Sequence, residues 1–323
     1  MPPFALSRRS SLAALAGLLL TGTAFAQGSR VITFVVPYTP GTGPDNLARI
    51  VGPRLAARLG ATAVVENKPG ASGNIGADYV AHAKPDGSVL MVTVNTFTIT
   101  PALYKAMPYN PVTDFTPIAK LGVGNVALVV NAHVPAKNFQ EFIALAKSKP
   151  GGMSYGSPGK GTPQHLAMEV LKKRYGLDIL HVPYKGAAGA NTDLLGGQIQ
   201  LAVLPVHTAL PFVRAGKVRM LAVSGDKRST FAPDVPSLAE LGAGNVDLSL
   251  YFWLAGPAGL PPDLVSQMNR EVATVLAMPE VKEQLAKQGM VPDTAPPAQL
   301  GQMIKQDIDR WQQFVTEQKI TAD

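Results

Sequence analysis

The stretch VITFVVPYTPGTGPD, residues 31–45, decides the fold. Its first half is an apolar, largely β-branched run interrupted only by Thr33, as in a strand covered on both faces, and its second half is a Pro/Gly/Thr turn. Apolar residues then recur at Leu47, Ile50, Val51, Leu55 and Leu59, one face of a helix that Gly60 closes. The segment predicts a strand over 31–37, a turn over 38–43 and a helix. The pattern continues with a strand at 63–66, a Gly-rich loop at 67–73, a helix at 74–82 and a strand at 88–94. Strands alternating with amphipathic helices specify an α/β fold with mainly parallel sheets.

A second unit of the same kind follows. The β-branched run 127–131 reads as a strand crossing between domains, followed by a helix at 138–149, a strand at 153–155 and a loop at 156–161. The helix at 162–175 is strongly marked: Thr162 can cap it, Pro163 suits its first position, and Lys172, Lys173 and Arg174 sit at its negative end before Gly176. Strands at 179–182, 199–204 and 218–223 alternate with helices near 187–195 and 208–215. A strand at 248–255 reads as the return crossing, and helices follow near 262–276, 280–288 and 297–317. Two crossings imply a two-segment hinge, on which two domains can close without breaking either core. The expected domains are 27–124 plus 226–323, and 125–225.

Residues 1–26 have the grammar of a secretory signal: Arg8 and Arg9, an apolar core over 12–20, and Ala24-Phe25-Ala26 before a mature start at Gln27. The apolar core falls short of the roughly 20 residues a membrane anchor needs. Arg8-Arg9 also hints at twin-arginine export. Without those two arginines the chain carries 27 basic and 22 acidic residues. This excess is too mild and scattered for nucleic-acid binding, but favours anions. The absence of cysteine excludes disulfides and thiolate chemistry.

Four strand-to-helix loops carry the chemistry. In the first, Tyr38, Thr39, Gly41, Thr42 and Asp45 surround a helix start, where unpaired N–H groups and the helix dipole suit an anion. The loop containing Ala71, Ser72 and Asn74 and the loop containing Ser157, Gly159 and Thr162 repeat the design. The latter lacks the lysine of a phosphate loop, and Gly41-Thr42-Gly43 lacks the third glycine of a dinucleotide fingerprint. In the fourth loop Tyr184 either walls a pocket or packs in the core, and Lys185 either offers a mobile charge or faces solvent. His165, one turn into its helix, reads more readily as a brace for its loop than as a ligand. No nucleophile elbow and no paired zinc-type spacing among the five histidines point to catalysis, a metal or a cofactor.

From about Arg30 onward the chain resembles the substrate-binding proteins of tripartite tricarboxylate transporters, the Bug family. The resemblance rests on PYTPGTGPD (37–45), ENKPGASGNIG (66–76), KPDG (84–87), NPVTDF (110–115), GTPQHL (161–166), HVPYKG (181–186), DLLGGQ (193–198) and RAGK (214–217). It implies a two-domain, type II-like periplasmic-binding-protein clamshell, monomeric, that holds a carboxylate or dicarboxylate through loop amides, hydroxyls and water and delivers it to membrane transporter subunits. Thr39, Thr42 and Pro44 depart from the family pattern. Leu204 and Pro205 also depart, standing where a polar pair is common. Their position favours an apolar or aromatic carboxylate without an ammonium group. Other expectations consistent with the residues are a ligand sensor for a two-component system and a secreted α/β hydrolase.

Overall fold

In the computed structural model the described residues are 30–104, 106–184, 186–243 and 249–318. The expected signal segment, Lys185 and the expected start of the return strand at Leu248 lie outside them. The elements run β1 (Arg30–Val36), α1 (Gly43–Arg58), β2 (Ala61–Asn67), a short 3-10 turn (Ala71–Gly73), α2 (Asn74–Ala81), β3 (Val89–Val94), α3 (Thr96–Leu103), β4 (Phe115–Gly124), β5 (Val126–Asn131) and α4 (Phe139–Ser148). They continue β6 (Ser154–Ser157), α5 (Pro163–Tyr175), β7 (Leu180–Pro183), α6 (Ala187–Gly196), β8 (Leu201–Pro205), α7 (Val206–Arg214), β9 (Val218–Val223) and β10 (Leu250–Pro257). The chain closes with α8 (Pro262–Ala277), α9 (Pro279–Lys287), β11 (Met290–Val291) and α10 (Pro297–Gln318).

The opening stretch forms β1, the turn and α1. Leu47, Val51 and Leu55 of α1 are buried with Ile32, Phe34 and Val36 of β1 in one core cluster. Gly52 lets the helix lie directly on the ring of Phe34, since a Cβ there would sit 3.1 Å from that ring.

The strands form two sheets, in the orders β11-β4-β10-β3-β1-β2 and β7-β6-β8-β5-β9. Neither is purely parallel. In the first, β10 runs antiparallel to both β3 and β4; in the second, β5 runs antiparallel to both β8 and β9. Each of these strands is the one that arrives from the other sheet, β5 directly after β4 and β10 after β9. A chain entering from the opposite lobe meets the sheet at the end where the parallel strands finish, and so runs against them.

The run expected to cross between domains, 127–131, lies wholly within the second sheet as β5. The crossing is the short joint between Gly124 and Val126, and the strand that feeds it, β4, carries no clear pattern in the sequence. Asn125 ties the two crossings together: its Nδ2 donates to the Ser224 carbonyl at 2.6 Å, while the Val126 N–H donates to Ser224 Oγ at 3.0 Å. A further apolar seam joins the halves, with Ile99 and Leu103 of α3 and Trp311 and Val315 of α10 against Leu166 of α5. At its edge Lys173 pairs with Glu317 at 2.8 Å.

Candidate functional site

The parallel strands of both sheets end around one cavity of about 480 Å³. Carboxyl ends of parallel strands are where open α/β sheets receive ligands, because the helices that follow start there with unpaired N–H groups. Here Thr42 to Pro44 begin α1, Thr162 to Gln164 begin α5, Gly186 and Ala187 begin α6, and Pro205 precedes His207 and Thr208 of α7; all line the cavity. The starts of α1, α6 and α7 have no side-chain cap. Since the Val206 N–H already donates to the Asn125 carbonyl at 3.0 Å, the Gly186 N–H to the Pro158 carbonyl at 2.9 Å, and Pro44 has none to give, donor capacity toward the cavity lies with the other amides of each first turn. At the start of α5, Thr162 caps the His165 N–H.

Tyr38, Thr39, Gly41, Thr42, Ser72, Thr162, Leu204 and Pro205, all expected from the sequence, line this cavity. Among the described lining residues there is no Asp, Glu, Lys or Arg. Val94, Leu250, Phe252 and Met290 from one half and Val203 and Leu204 from the other form an apolar side. The Tyr38 hydroxyl shares a hydrogen bond with Thr93 Oγ1 at 3.1 Å, and burial pushes its pKa up to about 12. The loop before α2 holds Gly70, Ala71, Ser72 and Gly73 all at positive φ, between 46° and 132°. Ala71 and Ser72 pay for this conformation sterically, a cost that structures tolerate mainly at functional sites.

The remaining expected residues, Asp45, Ala71, Asn74, Ser157, Gly159, His165 and Tyr184, are not among those lining the cavity. Asp45 is buried and accepts from the Gly41 N–H at 2.8 Å, from Asn67 Nδ2 at 3.0 Å and from Arg49 Nε at 3.1 Å. Burial alone would raise its pKa; the bonds from Arg49, Gly41 and Asn67 outweigh this and hold the carboxyl below its ordinary value. Asp45 thus fixes the first loop from behind. Asn74 Oδ1 accepts from the Tyr109 hydroxyl at 2.7 Å. The Tyr184 hydroxyl donates to Asp193 at 2.5 Å, and its ring lies so close to Gly156 and Gly189 that a Cβ on either would fall within 3.2 Å of it. Ser157 bonds His181 Nε2 at 2.7 Å and His165 Nδ1 accepts from the Gly161 N–H at 2.9 Å.

The sequence reading missed Thr96, Gln164, Asn191, His207, Phe252 and Met290 in the lining. His207 had a usable signal, since it follows a strand-to-helix join of the same kind as the four loops considered. Asn191 Oδ1 is buried and has no hydrogen-bond partner among the described residues, so it can accept from a ligand or water there. Besides Tyr38, His207 is a titratable group of the described lining, and burial lowers its pKa below the ordinary histidine value, leaving it neutral near pH 7. Gly289 at the end of the first half meets His207 so closely that a Cβ would fall 2.8 Å from that of the histidine. Among the described residues no cluster of metal-ligating side chains occurs.

Comparison with known proteins agrees with this geometry. The family model described as tripartite tricarboxylate transporter family receptor matches residues 47–320. Protein BugT of Bordetella pertussis is 32% identical over 306 residues, 94% of each chain. A protein from Cupriavidus necator, a UPF0065 protein in a gbd 5′ region, is 38% identical over 81% of this chain and 80% of its own. Among solved structures, the periplasmic binding protein BugD is 31% identical with a TM-score of 0.79, covering 90% of this chain and 98% of its own. A Rhodopseudomonas palustris protein solved with adipate is 31% identical with a TM-score of 0.81, covering 91% and 99%. MatC from the same organism, with bound malate, is 30% identical with a TM-score of 0.77, covering 89% and 99%.

Proposed function

Since this chain belongs to the tripartite tricarboxylate transporter family of receptors, we propose that it captures a small carboxylate in the cavity between its two sheets. Like the family and its solved neighbours, it is a solute-binding receptor and not an enzyme. On this reading the protein works in the periplasm after removal of residues 1–26, as a monomer, and passes its ligand to membrane transporter subunits. The two lobes are residues 27–124 with 226–323, and 125–225.

One observation carries the reading: the starts of several helices converge on a cavity whose described lining holds no charged side chain. Helix-start amides supply positive potential without competing counter-ions, which suits an anionic group. A micromolar affinity requires about 8 kcal/mol. Charge-assisted bonds to a carboxylate contribute roughly 1.5–3 kcal/mol each, so a few such bonds with some apolar burial reach that figure. The adipate and malate held by the R. palustris neighbours support a carboxylate ligand.

The apolar side built by Phe252, Met290, Leu250 and Leu204 favours an apolar or aromatic body, and the described lining residues include neither a Lys or Arg nor an Asp or Glu for a second charged group. A thermal-shift screen with benzoate, hexanoate, adipate, malate and glutamate tests this, joined by native mass spectrometry of protein taken from the periplasm. Benzoate or hexanoate at one hundred times its dissociation constant will stabilise the fold by about 2.7 kcal/mol. Stabilisation by glutamate alone overturns the ligand class, and a chemically altered product overturns the receptor role.

A further inference from the structure

Behind the cavity wall, two imidazoles from different elements lie face to face. His165 of α5 and His181 of β7 stack with ring centres 4.1 Å apart and planes 15° apart, and Tyr155 of β6 stacks on His181 at 4.7 Å. Each imidazole grips the turn that leads into α5. His181 Nε2 lies 2.7 Å from Ser157 Oγ, and Ser157 Oγ also bonds the Gly159 carbonyl at 3.0 Å and accepts from the Gly159 N–H at 3.2 Å. His165 Nδ1 accepts from the Gly161 N–H at 2.9 Å. Thr162 completes the turn by donating to the Gly159 carbonyl at 2.8 Å.

The acceptor role of His165 Nδ1 has a chemical consequence: a protonated Nδ1 has no lone pair to offer, so the bond to Gly161 exists only while that nitrogen is bare. We propose that His165 and His181 are positioning residues for ligand capture, a neutral stacked pair that holds the 157–162 turn and the start of α5 in the shape they present to the cavity. The proposal rests on the cavity being the carboxylate site. Thr162 and Pro158 line that cavity. Gly161, on the same turn, abuts α3 of the other lobe: at φ +76° its would-be Cβ lies 2.3 Å from Leu103. A shift in the turn is therefore felt both at the ligand and between the lobes.

Burial lowers the pKa of each histidine from 6.5 to about 4, and for His181 the neighbouring His165 adds to the effect. The charged groups facing the pair are Glu169 and Lys172 of α5 and Lys160 of the turn. Glu169 accepts from the Tyr155 hydroxyl at 2.6 Å and from Lys172 at 2.7 Å, and its partial compensation by that lysine leaves little net charge to stabilise an imidazolium. Two imidazolium rings at stacking distance would also repel. Because the unfolded chain binds these protons near pH 6.5 and the folded one only near pH 4, the pair favours the fold above that window, and the benefit is lost as pH falls through it.

The test uses the full mature chain, with benzoate as probe and hydrogen–deuterium exchange on the ligand-free protein. His165→Leu and His181→Leu are expected to raise exchange at the 159–162 amides and to weaken benzoate binding at least tenfold. The Ser157 hydroxyl gives its one proton to the Gly159 carbonyl and so accepts from His181 Nε2. His165→Asn keeps an acceptor near Nδ1 and His181→Gln keeps a donor near Nε2, and both are expected to recover most of the loss. Benzoate itself protonates at about pH 4 and His207 of the lining also titrates, so affinity is referred to the benzoate anion. On that scale the wild-type loss between pH 6 and pH 4 will be clearly steeper than that of the double variant His165→Asn/His181→Gln. Unchanged exchange at 159–162 in both leucine variants overturns the proposal, as does a double variant whose anion affinity falls with pH as steeply as the wild type's. If the leucine variants do not fold, the two amide variants decide through the pH profile and exchange. A wild-type protein that binds no benzoate counts against the proposed ligand class, while the exchange data still decide the role of the histidines.

Discussion

Ala187→Glu is expected to lower the affinity for a carboxylate at least about a hundredfold while leaving the melting temperature unchanged or slightly raised. Ala187 is the first residue of α6, exposed and part of the cavity lining. A carboxylate placed there lies among the helix starts that would otherwise face the ligand, and two like charges about 4 Å apart repel by about 4 kcal/mol at an effective dielectric of 20. The same charge at a helix N-terminus favours the helix. Binding and stability therefore move in different directions, which a simple folding defect cannot imitate. Isothermal titration and a thermal melt on one preparation check both; retained affinity would place the anion elsewhere.

Asp307→Ala is expected to destabilise the fold by about 1–3 kcal/mol, the usual cost of leaving a buried donor without its charged acceptor. Asp307 is buried in α10 and joins three elements: Thr98 of α3 donates to it at 2.5 Å, Tyr251 of β10 donates its hydroxyl, and Arg310 pairs with it. Burial and then the negative charge of Asp307 raise the Tyr251 pKa well above its ordinary value, so the phenol remains a donor at all working pH values. Without Asp307 the Thr98 hydroxyl still has the Asn95 carbonyl at 2.8 Å, whereas the Tyr251 hydroxyl loses its charged acceptor in a buried place. Urea unfolding measures the loss, and a change below 1 kcal/mol would contradict the assignment. Asp307→Asn, which retains acceptor capacity, will recover part of it.

The sequence made the βα alternation legible because the parallel strands are covered on both faces and read as apolar runs, and because caps such as Thr162 and Gly176 mark α5. It hid α3 and β4 for physical reasons. The α3 segment TFTITPAL is rich in β-branched residues and contains Pro101, poor material for a helix; its form comes from tertiary contacts through Thr98 to Asp307 and through Ile99 and Leu103 to the seam. In β4, Pro117, Gly122 and Gly124 break the period, and register shifts opposite Leu254/Ala255 and Phe252/Trp253 absorb the irregularity. The four loops could be read because Gly, Pro and Thr mark a strand-to-helix turn. Which side chains face the cavity could not. Ser157 turns inward because His181, 24 residues further on, is waiting at 2.7 Å. Phe252 and Met290 join the lining only because β10 and β11 return to the first sheet from the far end of the chain.

That return sets the order in which the protein assembles. The second sheet is built from one uninterrupted segment, 126–223, whereas β10 sits between β4 and β3 at the centre of the first. A chain emerging from its amino end therefore cannot join the strands of the first sheet until residue 257 is available, nor add the edge strand β11 until residue 291, yet by residue 223 it holds every strand of the second. The later-coded lobe completes first, and the earlier one waits as two strand groups, β1-β2-β3 and β4, for a central strand to insert. The exposed edges of β3 and β4 during that wait are the points at which a nascent or translocating chain most needs protection from pairing with another copy.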